Sequence, residues 1–322
     1  MESVDLGVLR TAVGWRAAGV PVILATLVET WGSAPRPVGA LLALAGDGRL
    51  AGSLSGGCIE DDLLDRVRAW ASQTGHWPTA AEALSYGITT EEARRFGLPC
   101  GGTLRVVLEP ITAASRLEEL LAAVEARRLL RRTLMLATGE ATLEDCSADA
   151  VLQFDGVTLR SVHGPRMRLL VIGAGQVSAY LDEMAAALDI QVLVCDPREE
   201  YRASWTRPGT PIDPRMPDDF VLALQPDART AVVALTHDPK QDDLALIEAL
   251  RSNALYVGAL GSRTNQEKRR VRLLEFDLTA EQIARLHGPV GLPIGSRSPP
   301  ELAIAILADL IAARQGVRLV PA

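Results

Sequence analysis

Aromatic residues make up only 4% of this 322-residue chain, so its core must be built chiefly from Ala, Leu, Val and Ile. Cysteine is sparse too. Cys58, Cys100, Cys146 and Cys195 are widely spaced, and no pair stands at C-x-x-C spacing. With no export signal in view, that pattern predicts reduced thiols rather than a disulfide frame. No Cys/His set has the spacing of a structural zinc site. The chain shows no charged-then-apolar leader and no apolar run of membrane-spanning length, so a cytoplasmic protein off the membrane is expected. Positive charge is in deficit: the net charge is −7 and the pI near 5.3. Non-specific binding to nucleic acid or to an anionic membrane is therefore disfavoured.

What is present is a globular composition, with 48% hydrophobic and 23% charged residues, in a chain longer than one ordinary domain. The pattern predicts a helix over 3–18, then short β-like runs at Val22–Val28, Ala40–Leu44 and Leu50–Leu54 separated by turn chemistry. A helix is expected from Cys58 towards Trp70, and a short one opened by the capping-box pattern Thr89-Thr90-Glu91-Glu92. A strand follows at Thr103–Leu108, then a helix headed by Ser115 and running to about Arg128. Residues 139–166 read as a connection with a weak strand or two. The domain boundary is placed at its end, giving domains 1–165 and 166–322.

From residue 166 the pattern alternates β-α-β. Strands are expected at Leu169–Ile172, Gln191–Cys195, Thr230–Leu235 and Leu255–Leu260, with helices at 175–188, Gln241–Arg251 and Ser262–Leu274. Pro208, Pro211, Pro214 and Pro217 are expected to keep their segment irregular. Ser298-Pro299-Pro300-Glu301 carries the signature of a capped last helix, whose body is apolar nearly all round.

Gly173-Ala174-Gly175-Gln176-Val177-Ser178 sits where a Rossmann unit places its phosphate turn: after a strand and opening a helix. The first glycine suits the tight turn and the second a close approach of backbone to pyrophosphate; the small third position is Ser178. Asp196 closes the second strand, 23 residues after Gly173, where a carboxylate accepts hydrogen bonds from ribose hydroxyls. The pattern is met equally by a dinucleotide site and by a Rossmann-shaped domain that holds no nicotinamide. His237 ends a strand, facing the crevice or else capping a loop. Gly261-Ser262-Arg263 opens a helix and Arg297 precedes the last one, so both arginines suit an anion.

In the first half, Ser55-Gly56-Gly57-Cys58 leads into a helix and Cys100-Gly101-Gly102 into a strand. Paired glycines beside a thiol let backbone approach a bulky ligand, and a helix N-terminus offers amides to an oxyanion. Glu60, Asp61 and Asp62 oppose thiolate formation there, so a soft sulfur contact to a metal-bearing cofactor is the reading preferred over an activated nucleophile.

These segments, with Glu29-Thr30-Trp31-Gly32-Ser33-Ala34-Pro35-Arg36-Pro37, Gly97-Leu98-Pro99-Cys100 and Gly291-Leu292-Pro293-Ile294-Gly295, resemble the XdhC/CoxI family, in order from about residue 20 to residue 312. The resemblance implies an α/β chain: an amino-terminal α+β XdhC/CoxI domain, then a Rossmann-like, mostly parallel, doubly wound domain. It implies an accessory protein and not an enzyme, one that holds the molybdenum cofactor (molybdopterin) as cargo. Sulfuration would involve a cysteine desulfurase, with delivery to an apo xanthine dehydrogenase-type molybdenum enzyme. Self-association, as a dimer, is implied as well. The candidate cofactor contacts read from the residues are Ser55, Gly56, Gly57, Cys58, Cys100, Gly101, Gly102, Gly173, Gly175, Gln176, Asp196, His237, Gly261, Ser262, Arg263 and Arg297, with Cys58 or Cys100 touching molybdenum. Gln176 and Ser178 depart from the family, which often has His and then Gly or Ala at those places. Two other readings compete: an NAD(P)-dependent oxidoreductase, and a non-catalytic dinucleotide-binding scaffold.

Overall fold

The computed structural model describes residues 4–31, 36–57, 59–72, 77–87, 103–147, 150–165 and 167–317. The chain divides into two compact units, residues 2–165 and 166–322.

The first unit is built on a five-stranded antiparallel sheet. Its order is Leu50–Gly52, Leu41–Ala45, Val22–Trp31, Thr103–Pro110 and Glu82–Tyr86. Residues 22–28 are all buried because both faces of the strand are covered, by helices and, at Val28, by a second sheet. Val22 and Leu24 pack with the helices Val4–Ala17 and Leu117–Glu125, whereas Ile23, Ala25 and Leu27 pack with the helix Glu60–Ser72. That explains an unbroken apolar run where a half-exposed strand would alternate.

Two expectations change here. Ser115 does not head the following helix. Its hydroxyl accepts from the Thr112 amide (3.1 Å) within a separate 3₁₀ turn, Ala113–Ser115. The supposed connection contributes to a second, four-stranded antiparallel sheet. Its order is Ala141–Asp145, Leu130–Met135, Thr158–His163 and Gln153–Phe154. Its Leu134 and Leu159 bury against Val28 and Val107 of the first sheet. A buried ion pair, Arg132 Nη1 to Glu109 Oε2 (2.9 Å), ties the two sheets. The capping-box segment at Thr89 lies outside the described residues.

The second unit carries a six-stranded parallel sheet. Its strands, in spatial order, are Ile212–Asp213, Ile190–Cys195, Met167–Ile172, Thr230–Ala234, Tyr256–Ala259 and Leu286–His287. In chain order that is 3-2-1-4-5-6, the doubly wound Rossmann arrangement, in which ligands bind beyond the carboxyl ends of the strands where the order reverses. Helices cover both faces: Gln176–Ala185 and Pro299–Arg314 on one, Pro239–Arg251 and Arg263–Leu274 on the other. Pro217 opens a helix, Pro217–Leu224, instead of breaking one. At the first helical position its missing N–H costs nothing. The last helix is capped as expected, with Glu301 reaching back to Ser298, although Ile304 stands half exposed. Among the described residues no helix is long and apolar enough to cross a membrane.

Candidate functional site

The Ser53–Gly57 turn is organised by one side chain. Glu60 is 6% exposed, and its carboxylate accepts from six donors. Oε1 takes the Ser53 hydroxyl (2.7 Å) and the amides of Leu54 and Ser55 (both 2.9 Å). Oε2 takes the Ser55 hydroxyl and the amides of Gly57 (3.0 Å) and Ile59 (3.2 Å). Burial pushes this carboxyl up, but the bonds from Ser55, Ser53 and Leu54 outweigh it and bring it down to about 2. Glu60 is therefore an anion whose solvent is the loop itself.

This geometry corrects one expectation. The Gly57 amide belongs to Glu60, and the Gly56 amide donates to Ser53 Oγ (2.9 Å), so neither is free to receive an oxyanion. Ser55 is buried and doubly engaged with Glu60 and the Ile59 amide. What the turn presents outward is the backbone of Gly56 and Gly57, both exposed and both in the left-handed region (φ 77° and 116°). Cys58, Cys100, Gly101 and Gly102 lie outside the described residues.

In the Rossmann unit, the Gly173–Gly175 turn leaves the first strand at the point where strand order reverses. Gly173 has φ 106°, and a Cβ there would sit 3.1 Å from Thr236, so only glycine fits. The Ser178 hydroxyl, fully buried, donates back to the Gly173 carbonyl (2.5 Å) and closes the turn. Gly175 is the N-cap of the helix Gln176–Ala185 with no side-chain cap, and Gln176 is exposed.

Asp196 is placed where the sequence puts it, at the end of the second strand, but it is not a free ribose acceptor. It is 0% exposed. Oδ1 accepts the Arg198 amide (3.1 Å) and Nε (2.9 Å); Oδ2 accepts the Ala174 amide and Arg198 Nη2 (both 2.8 Å). Burial raises its pKa, but the Arg198 fork and the amides of Ala174 and Arg198 outweigh burial and hold it below the usual range. Cys195 beside it is buried, its thiol pushed up to about 12 by burial and by Asp213 and Asp196. It is an inert packing residue.

Three further loops leave the same edge of the sheet. His237 is exposed and left-handed (φ 63°), while the neighbouring Asp238 is the side chain that caps, accepting from the Lys240 amide (2.9 Å). Buried Asp242 takes the Thr236 amide (3.1 Å) and hydroxyl (2.7 Å) and pairs with Arg269 (2.9 Å), bracing that loop from below. Spacing in the sequence gave no sign of this pair. Ser262 is spent capping its helix through the Asn265 amide (3.3 Å), beside Gly261 at φ 139°. Arg269 and Arg272 are tied to Asp242 and Asp243, whereas Arg263 and Arg297 stand exposed. Among the described residues no group of three or more His, Cys, Asp or Glu is arranged to hold a metal ion.

Fold and turns define a class: an α+β unit with a carboxylate-braced Ser-Gly-Gly turn, joined in one chain to a Rossmann unit with its own braced glycine turn. Residues 15–81 match the XdhC and CoxI family, and residues 169–310 match the XdhC Rossmann domain. The chain belongs to the XdhC/CoxI family. It is 27% identical to a protein of Bacillus subtilis named as a probable xanthine dehydrogenase subunit, covering 92% of this chain and 94% of that one. It is likewise 27% identical to the molybdenum cofactor insertion chaperone PaoD of Escherichia coli, covering 95% and 88%. A crystal structure titled as a xanthine dehydrogenase from Bacillus halodurans shares the fold. Its TM-score is 0.72 at 24% identity, over 100% of this chain and 98% of that one.

Proposed function

We propose that this protein is a maturation factor that binds the molybdenum cofactor and delivers it to a xanthine dehydrogenase-type molybdenum enzyme. The observation that carries the reading is the Ser53–Gly57 turn. An ionised, nearly buried carboxylate is committed to holding two exposed left-handed glycines in one shape. Such preorganisation suits a close, shape-specific approach of a large ligand to the main chain. Likeness to the insertion chaperone over most of both chains supports the same reading.

Within it, Cys58 and Cys100 are the molybdenum contacts, as soft sulfur donors to a metal held on a pterin. In the Rossmann unit, Arg263 and Arg297 are the cations offered to an anionic ligand. Sulfuration with a cysteine desulfurase, dimer formation and a cytoplasmic site of action belong to the proposal. When bound, the cofactor brings its own redox chemistry, and the chain's part is to hold, shield and release it.

The test is cofactor retention. Protein co-expressed with cofactor biosynthesis is purified and its pterin identified by mass spectrometry. The wild type is expected to carry a molybdopterin species, and the folded double variant Cys58→Ala/Cys100→Ala to carry at least about tenfold less. Equal retention by that variant overturns the thiol assignment; a pterin-free wild type overturns the function.

A further inference from the structure

One reading of a Rossmann unit is a nicotinamide dinucleotide site, and the residues present either fit that ligand or do not. In dinucleotide-binding units the acid closing the second strand accepts hydrogen bonds from the adenosine ribose hydroxyls. Its worth lies in free acceptor capacity at the crevice.

Asp196 offers none of it. Its carboxylate is enclosed by four donors, Ala174 N, Arg198 N, Arg198 Nε and Arg198 Nη2, at 2.8–3.1 Å. The carboxylate is 0% exposed, whereas the Arg198 side chain over it is 19% exposed and lies 3.7 Å from the Tyr201 ring centroid. Arg202 closes the corner further, donating to the Asp196 carbonyl (3.3 Å) and to the Pro197 carbonyl. A ligand arriving at the end of the second strand meets a stacked guanidinium, a donor, where it needs an acceptor.

We infer that the Asp196–Arg198 pair closes the ribose subsite, so that this Rossmann unit excludes NAD(H) and Asp196 serves to position the glycine turn. Breaking the fork to reach the acid would uncover a buried carboxylate–guanidinium pair, which costs more than a ribose contact returns. The crevice is left to anionic ligands that place no vicinal diol at this corner. The inference stands apart from the carrier reading, because it concerns one subsite and one ligand class.

The full-length protein is titrated with NADH, following nicotinamide fluorescence and, independently, heat. The wild type is expected to show no saturation up to about 1 mM. Arg198→Ala, which removes two of the four donors and uncovers the acid, is expected to bind at least about tenfold more tightly. Arg198→Met keeps the stem over Tyr201 while removing the fork, and serves if the alanine variant does not fold. Wild-type binding at tens of micromolar overturns the inference. So does a folded Arg198 variant that binds NADH no better than the wild type.

Discussion

In the first unit the glycine turn is braced by a carboxylate at most seven residues further along the chain; in the Rossmann unit the brace comes from the next strand, 22 residues beyond the amide it holds. Glu60 gathers its six donors from the segment it belongs to, so the shape of that turn is encoded almost locally. Asp196 reaches Ala174 only because Ile172 and Cys195 are paired in a parallel register. The two acids also differ in what balances their charge. Glu60 is held by amides and hydroxyls alone, Asp196 by a guanidinium as well. A locally braced turn keeps its shape whatever the neighbouring strands do, whereas the second turn is as good as the sheet beneath it.

The largest effect should therefore follow Glu60→Gln. The variant keeps the volume but turns an amide NH₂ towards loop donors, stranding several of them. A loss of about 3 kcal/mol is expected in the first unit. Tryptophan fluorescence reports that unit well, since Trp15, Trp31, Trp70 and Trp77 lie in it and only Trp205 in the other. The pH dependence sharpens the test. The folded carboxyl sits at about 2 against an ordinary 4.5, so its stabilisation is complete above the ordinary value and disappears as pH falls towards 2. That shift is worth roughly 3 kcal/mol. Denaturant midpoints of wild type and variant should converge across that window; a gap that persists near pH 2 means that the charge of Glu60 is not what holds the turn.

Asp196→Asn should cost less, about 2 kcal/mol, because Arg198 is partly exposed and recovers some hydration when its partner is neutralised. The loss should fall on the Rossmann unit and be read as faster hydrogen exchange at Ala174 and Arg198. Protection unchanged at Ala174 would separate the acid from the turn and break the parallel with Glu60.

How far these braces were legible depends on their range. The Rossmann class followed from strands, glycines and helices in sequence, because parallel strands buried on both faces read as plain apolar runs such as Leu169–Ile172; the two-residue edge strands Ile212–Asp213 and Leu286–His287 are too short to show such a run. The second sheet of the first unit showed only as a connection with a weak strand or two. Its strands are short and mixed: Arg131 and Arg132 sit inside one, and Arg132 is buried only because Glu109, far away in sequence, meets it. Glu60 was visible as an acid in the first turn of a helix, where stabilising the helix end explains it equally well. Nothing in the spacing reveals that it folds back on Ser53 and Ser55. Asp196 was found at the right position, but the fork that engages it comes from Arg198, two residues on, and side-chain direction is not written in spacing.

The smallest effect on stability is expected where the two turns leave something over. Gly175 has φ −92°, an ordinary extended value, and a Cβ there would meet nothing within 4 Å. Unlike Gly173, it is not required by the fold. Gly175→Ala should change stability by no more than about 0.5 kcal/mol, the weaker N-cap being offset by a less flexible unfolded chain. A glycine that the fold does not need, at the N-terminus of a helix without a side-chain cap, points to something that must come close to its backbone. Retention of the bound pterin should therefore fall by about tenfold in a variant that melts like the wild type. If stability and retention are both unchanged, the Rossmann turn is architecture alone, and ligand binding belongs to the turn that Glu60 holds.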